Sequence, residues 1–557
     1  MKATRVGGEN SPWCRWKVAI MLLAKYCVAC SLIALAKPSE LLIAAPPNAA
    51  PIETSTRESS IDPNHCKACH AEEVNGFARS KMSRSTRVGG LEPAGKVQVS
   101  GTTITMRSDK AGSWQTIEDR RGSNTYHVDY VIGSGSHASG YIVDIANHLF
   151  QSPVAYYSAR AAYGVAPGYE KILDPDFTRP ITQGCVFCHS GSFDAVAGTI
   201  NEYRSRPFPQ LGIGCDRCHG SPAAHLADPK MGNIINPTKL EHAARDSVCE
   251  QCHLFGVARI LNPGKQFSDF KAGSALEDTF TIYHDLSTGD TKSGLKVISH
   301  SEQLALSKCV LASAGKLWCG TCHDPHNEPT TPVSFYRERC LLCHERTTFA
   351  LSHPDKLSDC IGCHMPKREV QDGGHGVFTD HHIQRRPDSS TADTSSVRSA
   401  EITPWRNPPA QLAGRNLGIA MIEAGMDRSS AKDILTGYRK LTEVQQQFPQ
   451  DSEMYNSFGS ALLAGHQYSE AVQAFQLALR FDPSSAKKET SLGQAYLLLG
   501  ERDSGEHHLE RAMELDPLDL TAAALLIQSY DQGGKPEKSE QLSKKLADLT
   551  RETVSAK

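Results

Sequence analysis

Seven stretches of this 557-residue chain read Cys-x-x-Cys-His. In chain order they are Cys66–His70, Cys185–His189, Cys215–His219, Cys249–His253, Cys319–His323, Cys340–His344 and Cys360–His364, referred to below as motifs 1 to 7. Composition alone would give the pattern about 0.02 times in such a chain, against a motif of known chemistry. That chemistry is covalent attachment of c-type haem. Two thiols add across the vinyl groups of one porphyrin, and the histidine that follows turns back to ligate the iron. Seven haems c are therefore expected. Their thiols would be Cys66 and Cys69, Cys185 and Cys188, Cys215 and Cys218, Cys249 and Cys252, Cys319 and Cys322, Cys340 and Cys343, and Cys360 and Cys363. The proximal ligands would be His70, His189, His219, His253, His323, His344 and His364. A zinc ribbon needs Cys-x-x-Cys units in pairs, and seven is odd. Zinc also gives no reason for a histidine after every second cysteine.

Thirteen further histidines lie between His65 and His382, more than seven second axial ligands would require. An iron held by two imidazoles is six-coordinate and low-spin, which suits electron transfer and leaves no vacancy for substrate. The candidate distal ligands are His137, His225, His300, His326, His353, His375, His381 and His382. His225 follows motif 3 in Cys-His-Gly-Ser-Pro-Ala-Ala-His, and His326 follows motif 5 in Cys-His-Asp-Pro-His, where a turn can aim each at a neighbouring iron. His65, His127, His148, His242 and His284 are read as surface or supporting groups. Met82 is a weaker thioether candidate. No residue is assigned a catalytic role.

Of 18 cysteines, 14 sit in the motifs, Cys14, Cys27 and Cys30 lie near the N-terminus, and Cys309 is left over. That count excludes an even disulfide framework, and Cys309 reads as a buried structural thiol, with an axial or redox role as the alternative. A net charge of −3 gives no global pointer to nucleic acid, and the length calls for two or more domains. Hydrophobic residues make up 39%, a low share that porphyrin faces can offset by supplying apolar surface.

The elements that must position the motifs follow in order. Residues 1–36 read as an export signal, with Arg5, Arg15 and Lys17 before the apolar run Tyr26–Ala36. Lys25 interrupts the longer stretch and argues against a spanning helix, an uncleaved anchor being the alternative. Residues 37–61 form a polar linker. A seven-haem domain is expected over 62–384, loop-rich and mostly α, with a small β-rich insert at about 95–145. Val97–Val99 and Thr103–Met106 alternate across Ser100-Gly101 as a hairpin does, and Val128–Ile132 and Tyr141–Ile145 flank a Gly/Ser loop that presents His137. That loop does not match a nucleotide-binding fingerprint.

A second linker, 385–409, precedes a segment with a 34-residue period over 410–550. Gly459, Ala461, Phe475, Ala478, Asp482 and Pro483 recur as Gly493, Ala495, Leu509, Ala512, Asp516 and Pro517. A third unit contains Ser529, Tyr530, Gly534 and Leu546, and a degenerate first one Leu417, Gly418, Ala420, Gly425 and Pro449. This is the tetratricopeptide (TPR) pattern, which predicts an all-α solenoid able to bind a protein partner. The alternative is that the helices pack only on the haem domain. His466, His507 and His508 are placed on helix surfaces.

Several runs carry a resemblance. They are Gly133-Ser-Gly-Ser-His-Ala-Ser-Gly-Tyr141, Leu149-Phe-Gln-Ser-Pro153, Cys218-His-Gly-Ser-Pro222, Lys316-Leu-Trp-Cys-Gly-Thr-Cys-His-Asp-Pro-His326, Cys363-His-Met-Pro-Lys367 and Phe378-Thr-Asp-His-His382. With them residues 60–385 resemble bacterial multihaem cytochromes c fused to TPR repeats. This part is similar to the tetrahaem cytochromes that accept electrons from hydroxylamine oxidoreductase, and more distantly to pentahaem nitrite reductases. The resemblance implies a periplasmic electron carrier with mostly bis-histidine haems, and it favours His137, His225, His300 and His381 as ligands. Two departures count against an enzyme. No motif replaces its final histidine with lysine, and no tyrosine matches the one that cross-links the catalytic haem of hydroxylamine oxidoreductase. The expected function is a periplasmic heptahaem cytochrome passing electrons along its haems, with the repeats docking a redox partner. The competing reading is a multihaem oxidoreductase of nitrogen or sulfur compounds at one open-site haem; the third is an adaptor in which the haems are secondary.

Overall fold

The structure is a computed structural model that describes residues 64–120, 122–172, 175–285, 299–344, 359–370, 377–384 and 401–555. The expected export signal, the first linker, most of the second linker, His353 and His375 lie outside the described residues. Among the described residues, no helix is long and apolar enough to cross a membrane.

The β-rich part is larger than the expected 95–145, because strands run from Thr86 to Pro180. A four-stranded antiparallel sheet has the order β2 (Gly95–Val99), β3 (Thr102–Asp109), β4 (Gly112–Asp119), β5 (Gly122–His127). The hairpin expected at Ser100-Gly101 forms there, and both residues have positive φ, 47° and 84°, as the favoured two-residue turn requires. A second sheet has the order β1 (Thr86–Val88), β6 (Tyr130–Ile132), β7 (Ala138–Ile145), β8 (His148–Tyr157), β10 (Arg179–Pro180), with β9 (Ala162–Val165) also on β8. β3 and β4 bury alternate residues, while β8 is buried on both faces. That two-sided burial hides β8 from a reading that looks for period-2 alternation.

Beyond β10 the chain is mostly loops and helices of 4 to 12 residues, as the weak periodicity predicts. Two small sheets interrupt them. β11 (Ala258–Leu261) pairs with β12 (Phe280–His284), and β13 (Lys367–Glu369) with β14 (Val377–Thr379). Residues 401–409 were expected to be linker. They instead strap the domain, since β15 (Thr403–Pro404) pairs with β12 and Arg406 lies 2.6 Å from Glu250.

The C-terminal region is all-helical. α1 (Ala413–Arg428) packs on α2 (Ala431–Val444), α3 (Ser452–Ala464) on α4 (Tyr468–Phe481), α5 (Ala486–Leu499) on α6 (Arg502–Leu515), and α7 (Leu520–Gln532) on α8 (Pro536–Ser555). Ser430, Asp451, Ser485 and Asp519 cap α2, α3, α5 and α7 by accepting from backbone N–H groups of the first turn. The recurring glycines are explained by close approach. A Cβ at Gly459 would meet the Phe475 ring at 2.5 Å, and one at Gly493 would meet Leu509 at 2.7 Å. Ala461, Ala478, Ala495 and Ala512 are fully buried where the same helices cross.

These helices share their cores with the rest of the chain. Ala258, Ile260, Tyr283 and Ile402 join one cluster with residues of α1 to α5. Ile104, Ile117, Val143, Phe150 and Val154 join another with Leu509, Met513, Leu526, Tyr530 and Leu546. Polar pins reinforce the contact. Buried Arg415 donates to both Asp451 carboxylate oxygens (2.6 and 3.1 Å) and to the Leu261 carbonyl (2.7 Å). Asp516 accepts from His148 (2.9 Å) and from the Ile200 N–H (2.8 Å).

Candidate haem-binding site

Each Cys-x-x-Cys-His closes one helical turn. The His70, His219, His323 and His344 N–H groups donate to the carbonyls of Cys66, Cys215, Cys319 and Cys340 at 2.8, 2.9, 2.9 and 3.1 Å. Motifs 2, 4 and 7 lie within the helices Gln183–His189, His242–His253 and Cys360–His364. Residues three and four apart share a helix face, so each motif offers two thiols and an imidazole to one side.

The fold brings thiols of different motifs together. Cys66 lies close enough to Cys215 to shift its pKa, as Cys188 does to Cys252, Cys249 to Cys319, and Cys340 to Cys360. Cys343 is close enough to Cys322 to act on it electrostatically. Motifs 2, 4, 5, 6 and 7 thus adjoin in succession, and motif 1 adjoins motif 3. His326, three residues beyond His323, stacks on His219 and links motif 5 to motif 3.

An iron held between two imidazoles by bonds of about 2 Å separates the ring centroids by about 6 Å. Three motif histidines face another histidine at such a distance: His70 and His225 at 6.4 Å, His219 and His326 at 5.8 Å, His323 and His381 at 6.2 Å. His253 faces His300 at 5.1 Å, edge to face, and His300 also touches His381 at 4.6 Å. Nδ1 of His219 faces the Ile235 carbonyl, of His364 the Gln384 carbonyl, of His225 the Lys230 carbonyl and of His381 the Thr379 carbonyl. Such acceptors require a proton on Nδ1 and leave Nε2 with its lone pair, the tautomer that binds metal. Burial lowers the pKa of His189 and His253, pushes His300 down to about 2 and His381 to about 4, and so keeps these rings neutral.

Two further observations fit a porphyrin. Among the described residues, the Nδ1 of His300 is buried without a hydrogen-bond partner. And of the described residues from 299 to 384, Val370 is the one buried hydrophobic side chain. Leu311, Val333, Leu342 and Val377 stand exposed in that stretch, as do Leu226 and Met231 beside His225. Segments this poor in core of their own need apolar surface from elsewhere.

The other expected residues are placed as follows. His137 is exposed in its loop and packs on Phe378 at 4.4 Å. His382 Nδ1 lies 3.1 Å from the Gln384 side chain. His65 and His242 are exposed, His127 pairs with Asp129 and His284 packs on Trp405. His148 corrects the surface reading, because it is buried, with both ring nitrogens engaged. Met82 is half-buried. Cys309 is half-buried with its pKa raised by burial and, to a lesser extent, by Cys343. Sequence reasoning missed Tyr336, whose hydroxyl lies 3.2 Å from His323 Nδ1; no motif marks it.

Comparison with known proteins agrees with this chemistry. The family model for cytochrome c554 and c-prime matches residues 165–220, which contain motifs 2 and 3. The C-type polyheme cytochrome OmcB of Geobacter sulfurreducens is 28% identical over 168 residues, or 29% of this chain. The chain spans about a fifth of the length of these curated relatives, 19%. Among solved structures, MamA from Desulfovibrio magneticus RS-1 has 19% identity and a TM-score of 0.22, covering 25% of this chain and 85% of that one. TTC0263, a thermophilic TPR protein of Thermus thermophilus, has 20% identity and a TM-score of 0.20, covering 25% and 79%. The two sequence likenesses support a multihaem cytochrome c, for which covalently bound haem c is the implied cofactor.

Proposed function

We propose that this chain is an exported, periplasmic heptahaem cytochrome c that carries electrons through mostly bis-histidine haems. His70, His219, His323 and His253 would be proximal ligands opposite His225, His326, His381 and His300. His189, His344 and His364 would complete the proximal set. What carries the reading is that three ring pairs, drawn from residues 58 to 155 positions apart, independently adopt the separation of two imidazoles sharing one metal. The haem irons supply one-electron chemistry. The chain's own part is to fix His219, His225, His364 and His381 through Nδ1 and to hold neighbouring motifs close together so that a continuous path exists.

The test is a haem count by pyridine haemochrome with electron paramagnetic resonance of the oxidised holoprotein. Seven haems per chain with low-spin signals are expected. Far fewer haems would refute the assignment, and a stoichiometric high-spin signal that moves with nitrite or hydroxylamine would replace the carrier with an oxidoreductase.

The helical region is read as a TPR array, on its 34-residue period, its Asp-Pro turns and its paired helices. The turn before α7 is tied to β8 through Asp516 and His148, and the turn before α5 to Gly198, so a redox partner would use the helix faces, where Met426, Leu498 and Leu499 are exposed. Leu498→Glu and Met426→Glu in the holoprotein should weaken partner capture without changing haem content. Unaltered capture would leave the array with a purely internal role.

A further inference from the structure

We infer that Tyr336 is a positioning residue that sets the reduction potential of the haem on motif 5, an inference that rests on the haem assignment proposed above. Motif 5 is the junction of the array. Its thiol Cys319 adjoins motif 4, Cys322 adjoins motif 6, and His326 reaches motif 3. In the succession described above, motifs 6 and 7 adjoin the others through motif 5, so the potential there bears on every transfer to or from that end.

Tyr336 lies in the helix Pro332–Leu341, which Pro332 starts at its first position. Cys340, the first thiol of motif 6, follows four residues later and so shares a helix face with Tyr336. The helix therefore holds motif 6 at one point and reaches motif 5 at another. The Tyr336 ring meets the His323 ring at 5.5 Å and 69°, with its hydroxyl 3.2 Å from Nδ1. With Nε2 given to a metal, Nδ1 carries the proton and donates to the phenol oxygen. His219 and His364 instead donate to backbone carbonyls at 2.8 and 2.6 Å. A phenol oxygen is the weaker acceptor and sits farther away, so His323 is left the less basic ligand. A less basic ligand stabilises the oxidised iron less and raises the potential. Backbone acceptors are fixed by the fold, whereas this one is a side chain that substitution can remove.

The experiment is a redox titration of full-length holoprotein followed by visible and electron paramagnetic resonance spectra, comparing wild type with Tyr336→Phe and Tyr336→Glu. Tyr336→Phe leaves Nδ1–H without its acceptor and should shift one of seven midpoints upward. Tyr336→Glu offers a carboxylate and should shift the same midpoint downward. The other six should stay in place, with seven haems retained. If the Phe variant keeps its haems and no midpoint moves, the inference is overturned. Loss of a haem in the Phe variant would also overturn it, by making Tyr336 structural. A wild-type protein with fewer than seven haems would instead strike the haem assignment itself.

Discussion

His148 and Asp516 allow a quantitative test of how the helical region is held. Both side chains are buried, at 3% and 0% exposure. His148 Nδ1 faces the Ala146 carbonyl and Nε2 faces the Asp516 carboxylate, each at 2.9 Å. Both partners are acceptors, so both nitrogens must carry protons and the ring is an imidazolium. Burial opposes that charge. The Asp516 hydrogen bond and carboxylate overcome it, with smaller help from the Ala146 carbonyl and Glu202, and the pKa stands above the ordinary 6.5. A raised pKa means the stabilisation is complete below about pH 6.5 and is lost as pH rises through the folded-state value. The neutral ring keeps one of its two hydrogen bonds, so the loss is that of one charge-assisted bond, about 1.5–3 kcal/mol. That corresponds to a local opening equilibrium favoured roughly 10- to 150-fold more. Hydrogen exchange read by mass spectrometry, corrected for intrinsic rates, should show this between pH 6 and pH 9. The peptides to follow contain the Ile200 amide, which donates to Asp516 at 2.8 Å, and the 516–519 turn. His148→Gln should abolish the pH dependence there, and Asp516→Ala, which removes the acceptor of His148, Ile200 and Leu518, should cost about 3–5 kcal/mol at pH 6. Equal pH dependence in wild type and His148→Gln would refute the imidazolium argument.

Other expectations follow from single contacts. His326→Ala should convert one low-spin haem to high-spin in the resonance spectrum while the haem count stays at seven; an unchanged spectrum would show that His326 is not a distal ligand. Arg415→Ala leaves the buried Asp451 carboxylate without its counter-charge, keeping only the α3 cap bond from Met454, and should lower stability by about 3–5 kcal/mol in denaturant titration. A loss under about 1 kcal/mol would mean water or another donor replaces the guanidinium. Gly459→Ala forces a methyl against the Phe475 ring at 2.5 Å and should cost about 1–3 kcal/mol, read as a lower melting temperature, whereas Gly500→Ala meets no neighbour and strains only its left-handed φ of 93°.

Where a feature depends on residues close in sequence, the chain announced it. The Cys-x-x-Cys-His turn, the Ser100-Gly101 hairpin and the 34-residue spacing of glycine and alanine all express contacts between residues near one another along the chain. The pairing of His70 with His225, or of His219 with His326, is of another kind. A surplus of histidines marks a pool of candidates, but nothing in the local pattern says which two rings will meet. The same holds for β8, whose two buried faces erase the alternation that marks a half-exposed strand. It holds for Thr403–Pro404, read as linker because its polar neighbours resemble one.

By itself, then, the sequence determined the cofactor chemistry, the number of candidate sites and the helical repeat, since each is encoded in spacing along one segment. Tertiary structure alone decided the order in which the motifs adjoin, the histidine that faces each of His70, His219, His253 and His323, and the use of the helices as part of the β domain's own core. Those outcomes depend on which apolar faces bury one another across hundreds of residues. Tyr336 belongs to this second group: an ordinary helical tyrosine in the sequence, it gains its significance from the histidine its hydroxyl meets.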